Sequence, residues 1–248
     1  MFDRAKYKNF ARLQLKGRWA VPVLTTLICV IILNLLNVPY YKNLFGSLSK
    51  IPTISMNADV DAVSSYITEA AFDNAYTGTA FASITSWLQV LISFILAFAQ
   101  IHLYIKMSRN PNPVYFSDFI EGLSSWWRGI LAGLWVFLWV FIWSLLFFIP
   151  GIVKSYAYSQ TLFLAAEYPQ LSIRKAMRVS KEITKGHKAD IFVTQLSFLG
   201  WAILAAIPAG IGFFWLTPYY NMTMTNVYHA LLKEAVAKGT IRAEDLAG

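Results

Sequence analysis

The chain has 248 residues, of which 57% are hydrophobic, 16% aromatic and only 14% charged, with a formal net charge of +8. That is too apolar for an ordinary water-soluble domain and points to lipid as the main solvent. In such a chain an excess of Lys and Arg reads first as an orientation signal, and no nucleic-acid motif accompanies it.

Residues 1–18 carry Arg4, Lys6, Lys8, Arg12, Lys16 and Arg18 against Asp3 alone, a basic segment that the positive-inside rule keeps in the cytoplasm. Tyr7, Phe10, Leu13 and Gln14 share one helical side there, which predicts an interfacial amphipathic helix. Residues 21–38 form the first apolar run of the roughly 20 residues that a hydrocarbon core of about 30 Å requires. The run ends in Asn37-Val38-Pro39-Tyr40-Tyr41 rather than a small-residue cleavage site, so it reads as an anchor and not as a signal peptide. Cys29, the lone cysteine, lies inside it as a small apolar residue without an intramolecular disulfide partner.

Residues 39–83 read as an outer loop, because Lys42 and Lys50 are outnumbered by Asp59, Asp61, Glu69 and Asp73. Val60, Val63, Ile67 and Ala70 predict a short surface helix over 57–76, capped by Asn57. Residues 84–105 form the second span and 130–149 the third. The third carries Trp127, Leu131, Trp135, Trp139 and Trp143 at intervals of four, with Gly129 and Gly133 as a GxxxG pair that predicts a close helix contact. The tryptophans fill space beside it or, alternatively, form a ligand-stacking wall. Trp19, Trp126, Trp127 and Trp215 suit an aromatic belt.

Residues 168–189 concentrate Arg174, Lys175, Arg178, Lys181, Lys185 and Lys188 against Glu182, so they too belong in the cytoplasm. An even number of crossings must then separate Lys106 from Arg174, and the weakly apolar segment 152–167 must return through the bilayer after a tight outer turn at Pro150-Gly151. Its Lys154, near the outer end, snorkels. Ile173, Ala176, Met177, Ser180 and Ile183 give the basic segment a second interfacial amphipathic face. Residues 191–213 and 214–232 complete a bundle of six spans in three hairpins, with 233–248 a cytoplasmic tail. The expectation is one all-α integral membrane domain over 1–248, in the cell membrane, both termini cytoplasmic.

Three groups of residues are candidates for function. Buried polar groups in hydrocarbon need partners, and Ser155, Tyr158, Ser159 and Gln160 on the fourth span with Thr217, Asn221, Thr225 and His229 on the sixth predict two facing polar stripes. These act as interhelical glue or line a hydrated groove. His102, Glu167 and His229 fall near cytoplasmic span ends, where they meet interfacial water or form a proton-sensitive cluster. Arg174, Lys175, Arg178, Lys181, Lys185 and Lys188 form a basic face for anionic headgroups or a membrane partner. Enzymatic chemistry is poorly supplied: there is no HExxH, CxxC or GxSxG, and His102, His187 and His229 lack metal-ligand spacing. No cofactor or metal is expected.

Two stretches echo one another: Ser155-Tyr156-Ala157-Tyr158-Ser159-Gln160-Thr161 after Ile149-Pro150-Gly151, and Thr217-Pro218-Tyr219-Tyr220-Asn221-Met222-Thr223 after Pro208-Ala209-Gly210. They suggest a repeated helical hairpin. Together with Leu15-Lys16-Gly17-Arg18-Trp19, residues 143–154, Lys185-Gly186-His187-Lys188 and residues 196–201, these motifs resemble the DUF975 family of bacterial integral membrane proteins. They keep that family's order over nearly the whole chain and depart from it at Arg18, where asparagine is expected, and in the outer loop. The resemblance implies a multi-helix inner-membrane protein, of a Gram-positive type of cell, in a family without an assigned activity. A more distant similarity, to the membrane domain of some glycerophosphodiester phosphodiesterases, hints at lipid-related work. The reading is a non-catalytic accessory or scaffold contacting lipids, a membrane partner or a second copy, with small-solute or lipid transport through the polar stripes as the alternative.

Overall fold

The computed structural model describes residues 2–36 and 60–247, which are helical with no strand among them. In chain order the helices are α1 (Arg4–Leu15), α2 (Ala20–Leu35), α3 (Val60–Arg109), α4 (Phe116–Ser124), α5 (Trp126–Leu146), α6 (Phe148–Tyr158), α7 (Thr161–Glu167), α8 (Ile173–Ile183), α9 (Lys188–Leu196), α10 (Leu199–Ala206), α11 (Phe213–Ala237) and α12 (Ala243–Leu246). Contacts divide the chain into two units, Cys29–Ser93 and the remainder. In the smaller unit Cys29 is buried and Asn34 donates back to the Val30 carbonyl.

Three stretches are long and apolar enough to cross a membrane: Thr85–Arg109, Trp126–Leu146 and Lys188–Ala206. The pair α1 and α2, bent by 98°, makes a fourth if taken as one span. Those helices match the first, second, third and fifth expected spans. The end of the first, and the Asn57 cap, lie outside the described residues. The predicted surface helix is instead the start of α3, which runs unbroken from Val60 to Arg109.

The fourth expected span is two helices, α6 and α7, separated at Ser159–Gln160. The pair still returns alongside α5. At the near end of that hairpin a Cβ on Gly151 would stand 2.2 Å from Ser144 Oγ, and at the far end the Arg128 guanidinium donates to the Leu171 carbonyl at 2.8 Å. The turn differs from expectation: Phe147, extended at φ −156°, makes it, while Pro150 and Gly151 sit in the first turn of α6. Proline fits there because first-turn N–H groups have no intrahelical partner to lose.

The break between α6 and α7 is held by the neighbouring basic helix. The Ala157 carbonyl accepts from Ser180 Oγ at 2.9 Å and from Thr184 Oγ1 at 3.3 Å, while the Gln160 N–H donates to Ser180 Oγ at 3.2 Å. These are backbone groups that interruption of the helix releases, and buried ones cost about 1–3 kcal/mol each when unpaired. Helix α8 is therefore part of the packed body, burying Ala176, Val179, Ser180 and Ile183.

The α9–α10 and α11 hairpin repeats one device of the first. A Cβ on Gly212 would stand 2.6 Å from Ala205 Cα, so in both hairpins a glycine closes on a small residue seven positions earlier (151 − 144 and 212 − 205). The sequence echo pairs Gly151 with Gly210, whereas the close approach in the second hairpin is made by Gly212. The turn itself places Ala209 and Gly210 at positive φ, 51° and 82°.

The GxxxG pair of α5 makes the expected close contact, with α3 as its partner. A Cβ on Gly129 would stand 2.8 Å from Phe98 Cβ, and one on Gly133 would stand 2.4 Å from the Phe94 ring. Gly133→Ala should therefore lower the thermal unfolding midpoint, at a cost of about 1–3 kcal/mol for the forced displacement. Gly200→Ala, where nothing lies within 4 Å, should leave it unchanged or slightly raised when both are followed by thermal scanning in detergent.

Candidate functional site

Polar residues converge where α3 and α7 end and α11 passes them. The Glu167 side chain, 3% exposed, pairs with Arg109, and Tyr228 donates its hydroxyl to the same carboxylate. His229, the next residue on α11, shares a hydrogen bond of 2.8 Å with Ser108. The Ser108 carbonyl accepts from Gln14 Nε2 at 3.2 Å, and Gln14 Oε1 accepts from Asn226 Nδ2 at 2.8 Å. One hub thus ties α1, α3, α7 and α11. A buried carboxylate needs such partners, since its desolvation is repaid only by charge and hydrogen bonds.

Two members of the expected proton-sensitive cluster, Glu167 and His229, sit in this hub. His102 does not join them. It lies about two turns before Arg109 on α3, its Cβ against Gly122 of α4, and its buried Nδ1 has no hydrogen-bond partner among the described residues.

No hydrogen bond joins the two polar stripes among the described residues. Ser155 and Ser159 donate to carbonyls of their own helix, Ile152 and Tyr156, and Gln160 turns to Ser159 and α8. On α11, Thr225 donates back to Asn221, while Asn221 and His229 reach Gln100 and Ser108 of α3. Thr217 lines a cavity of 370 Å³ with Tyr156, Gln195 and Tyr220, where Tyr156 donates to Gln195 at 3.1 Å. Tyr158 is buried in α6. Only the Gln160 backbone N–H of the first stripe bonds to α8, its serines being satisfied within α6, and bonds from α11 to α3 claim Asn221 and His229 of the second.

The basic face divides as well. Arg174 lies over the Trp135 ring, 5.1 Å from its centroid, and Lys175 donates to the Glu244 and Ala247 carbonyls of the tail. Arg178, Lys181 and Lys185 remain exposed and make no ion pair among the described residues, and Lys188 starts α9 half-buried. Lys154 lies over Trp143 at 4.3 Å, with Lys181 and Lys188 as its neighbouring charges, so it sits beside the basic segment and not at the opposite, outer end expected of it. Trp135 and Trp143 of the row are thus covered by the protein's own cations.

On α1 the apolar side splits. Ala11 and Leu15 are buried with Tyr7 and Gln14 half-buried beside them, while Phe10 and Leu13 point outward. A further ionic clamp joins α9 to α11: the His187 ring nitrogens contact Asp190 and Glu234 at 3.1 and 3.2 Å, and Phe2 stacks on the imidazole. Among the described residues no group of His, Cys, Asp and Glu is arranged to hold a metal ion.

Arg109, Arg128 and Tyr228 were not singled out by sequence reasoning, and Arg18 stood there only as one of the basic residues and as a departure from the family pattern. Arg18 donates to the Gln14, Met107, Asn110 and Asn112 carbonyls, joining the end of α1 to the end of α3. The signal available was position: each arginine borders an apolar run, where a charge must find carbonyls or a carboxylate.

The architecture is that of an all-helical protein with three to four candidate membrane spans, fastened by polar hubs at helix ends. Residues 136–235, from within α5 to α11, match the family described as "Protein of unknown function (DUF975)". No curated protein and no solved structure matches it.

Glu167→Ala would strand Arg109 and the Tyr228 hydroxyl, and should lower stability by about 1–3 kcal/mol. Tyr228→Phe should cost less, both read as shifts of the thermal unfolding midpoint. At the α9–α11 clamp, the hydrogen bond from Lys238 and then the His187 contact hold the Glu234 carboxyl below its ordinary value of 4.5. The folded carboxylate is favoured, so its contribution is complete above that value and fades as pH falls through the lower folded one. Wild type and Glu234→Gln should converge in midpoint across that acid range.

Proposed function

We propose that this protein is a non-catalytic accessory or scaffold of the cell membrane, with both termini cytoplasmic, whose α8 presents Arg178, Lys181 and Lys185 to anionic lipid headgroups at the inner leaflet. The observation that carries the reading is the division of labour on α8. Its apolar face and Ser180 hold the bundle together, Arg174 and Lys175 are spent on internal contacts, and these three cations are left exposed without a carboxylate. Near an anionic surface each contributes about 1 kcal/mol. Transport through the polar stripes receives less support, because the stripes bond to different partners.

Replacing Arg178, Lys181 and Lys185 by glutamine should reduce the anionic lipid that co-purifies with the protein, measured by lipid extraction and chromatography. Equal retention by wild type and variant would remove the proposal. Reporter fusions after Tyr168 and after Lys233 should both report a cytoplasmic location.

A further inference from the structure

Beside the elbow between α1 and α2 lies an open cavity that the fold's core does not use. Arg12 and Trp19 come from the elbow, Trp201 and Leu204 from α10, and Trp215 and Tyr219 from α11, around a volume of 340 Å³. That lies within the range of about 300–1,000 Å³ for small-molecule sites. Its walls are held in place from both sides. The 98° bend follows from Gly17 at φ +76° and from Arg18, which donates to carbonyls at the ends of α1 and α3. The opposite wall is set by the Ala205–Gly212 contact.

The cavity has one charged end and apolar walls. Arg12 is exposed, makes no ion pair among the described residues, and sits 5.5 Å from the Tyr219 ring centroid. One turn earlier Lys8 lies over Phe198 at 4.2 Å and donates to the Ser197 carbonyl. Arg4, Lys8 and Arg12 follow one another at intervals of four along α1, none of them in an ion pair among the described residues. Asp3 is the nearby acid, and it caps α1 through the Lys6 N–H. Away from Arg12 the lining turns to indoles and Leu204, and Trp201 and Trp215 remain half exposed at 50% and 53%. A guanidinium at the mouth suits the paired oxygens of a phosphate, and an indole-lined slot suits an acyl chain.

We propose that this elbow binds one anionic phospholipid, its phosphate on Arg12 and one acyl chain between Trp201, Leu204 and Trp215. The site is separate from the α8 face and does not depend on it.

Native mass spectrometry of the full chain in mild detergent, titrated with phosphatidylglycerol, phosphatidylcholine or oleate, tests this. The wild type should retain one phosphatidylglycerol in preference to phosphatidylcholine. Arg12→Gln should weaken that retention about tenfold. Leu204→Trp, at an outward-facing position, should fill the slot and weaken both phospholipids, with its thermal midpoint unchanged. Substituting Arg178, Lys181 and Lys185 should leave the elbow lipid bound. The proposal is overturned if Arg12→Gln or Leu204→Trp binds phosphatidylglycerol as the wild type does, if oleate displaces the phospholipid at equal concentration, or if the α8 substitutions alone abolish binding.

Discussion

The demand that every backbone N–H and C=O find a partner where water is scarce organises this protein. A continuous helix meets that demand by itself, and α5 does so for 21 residues. Every interruption must be answered by a side chain from elsewhere. Ser180 and Thr184 answer the break between α6 and α7, Arg128 answers the carbonyls at 165 and 171, and Arg18 answers the end of α3. The tertiary structure follows from those answers. Helix α8 lies where its hydroxyls reach Ala157, and α1 is bent where its arginine reaches residues 107–112.

The same demand explains which features were readable from the chain. Long apolar runs and GxxxG spacing are local properties, so the spans at 84–105, 130–149 and 191–213 and the contact at Gly129 and Gly133 follow from the amino-acid order alone. The two-helix character of 152–167 was not readable. Nothing in Ser155-Tyr156-Ala157-Tyr158-Ser159 forbids a continuous helix, and the stabilising hydroxyls lie twenty or more residues away. Helix rotation was hidden for the same reason. A stripe at intervals of four shows that one side of a helix is polar, but the neighbour it meets depends on competition among all the packed helices. Glu167 and His229 were legible as residues needing partners, whereas the identity of those partners, Arg109, Tyr228 and Ser108, was not.

Charge follows a parallel logic. A cation beside an apolar helix can be spent on a carbonyl, on an indole face or on an anion from outside. Arg18 and Arg128 take carbonyls, Arg174 and Lys154 take tryptophans, and Lys175 takes the tail. Arg12 covers a ring and still faces outward, and Arg178, Lys181 and Lys185 form no ion pair within the described chain. The functional proposals rest on that remainder, because the positive-inside rule accounts for the side on which a basic residue lies but not for its being left uncompensated.

The hydrogen bond between Gln14 and Asn226 joins residues 212 positions apart, and it has a consequence for biogenesis. Helix α1 leaves the ribosome long before α11, yet its seat is built from that later helix. Until α11 arrives, α1 and the elbow after it are held by α3 alone, through Gln14 on Ser108 and Arg18 on the carbonyls at 107–112. Complete docking of α1 is therefore a late step of assembly, and a chain truncated before residue 226 leaves one side of it uncovered.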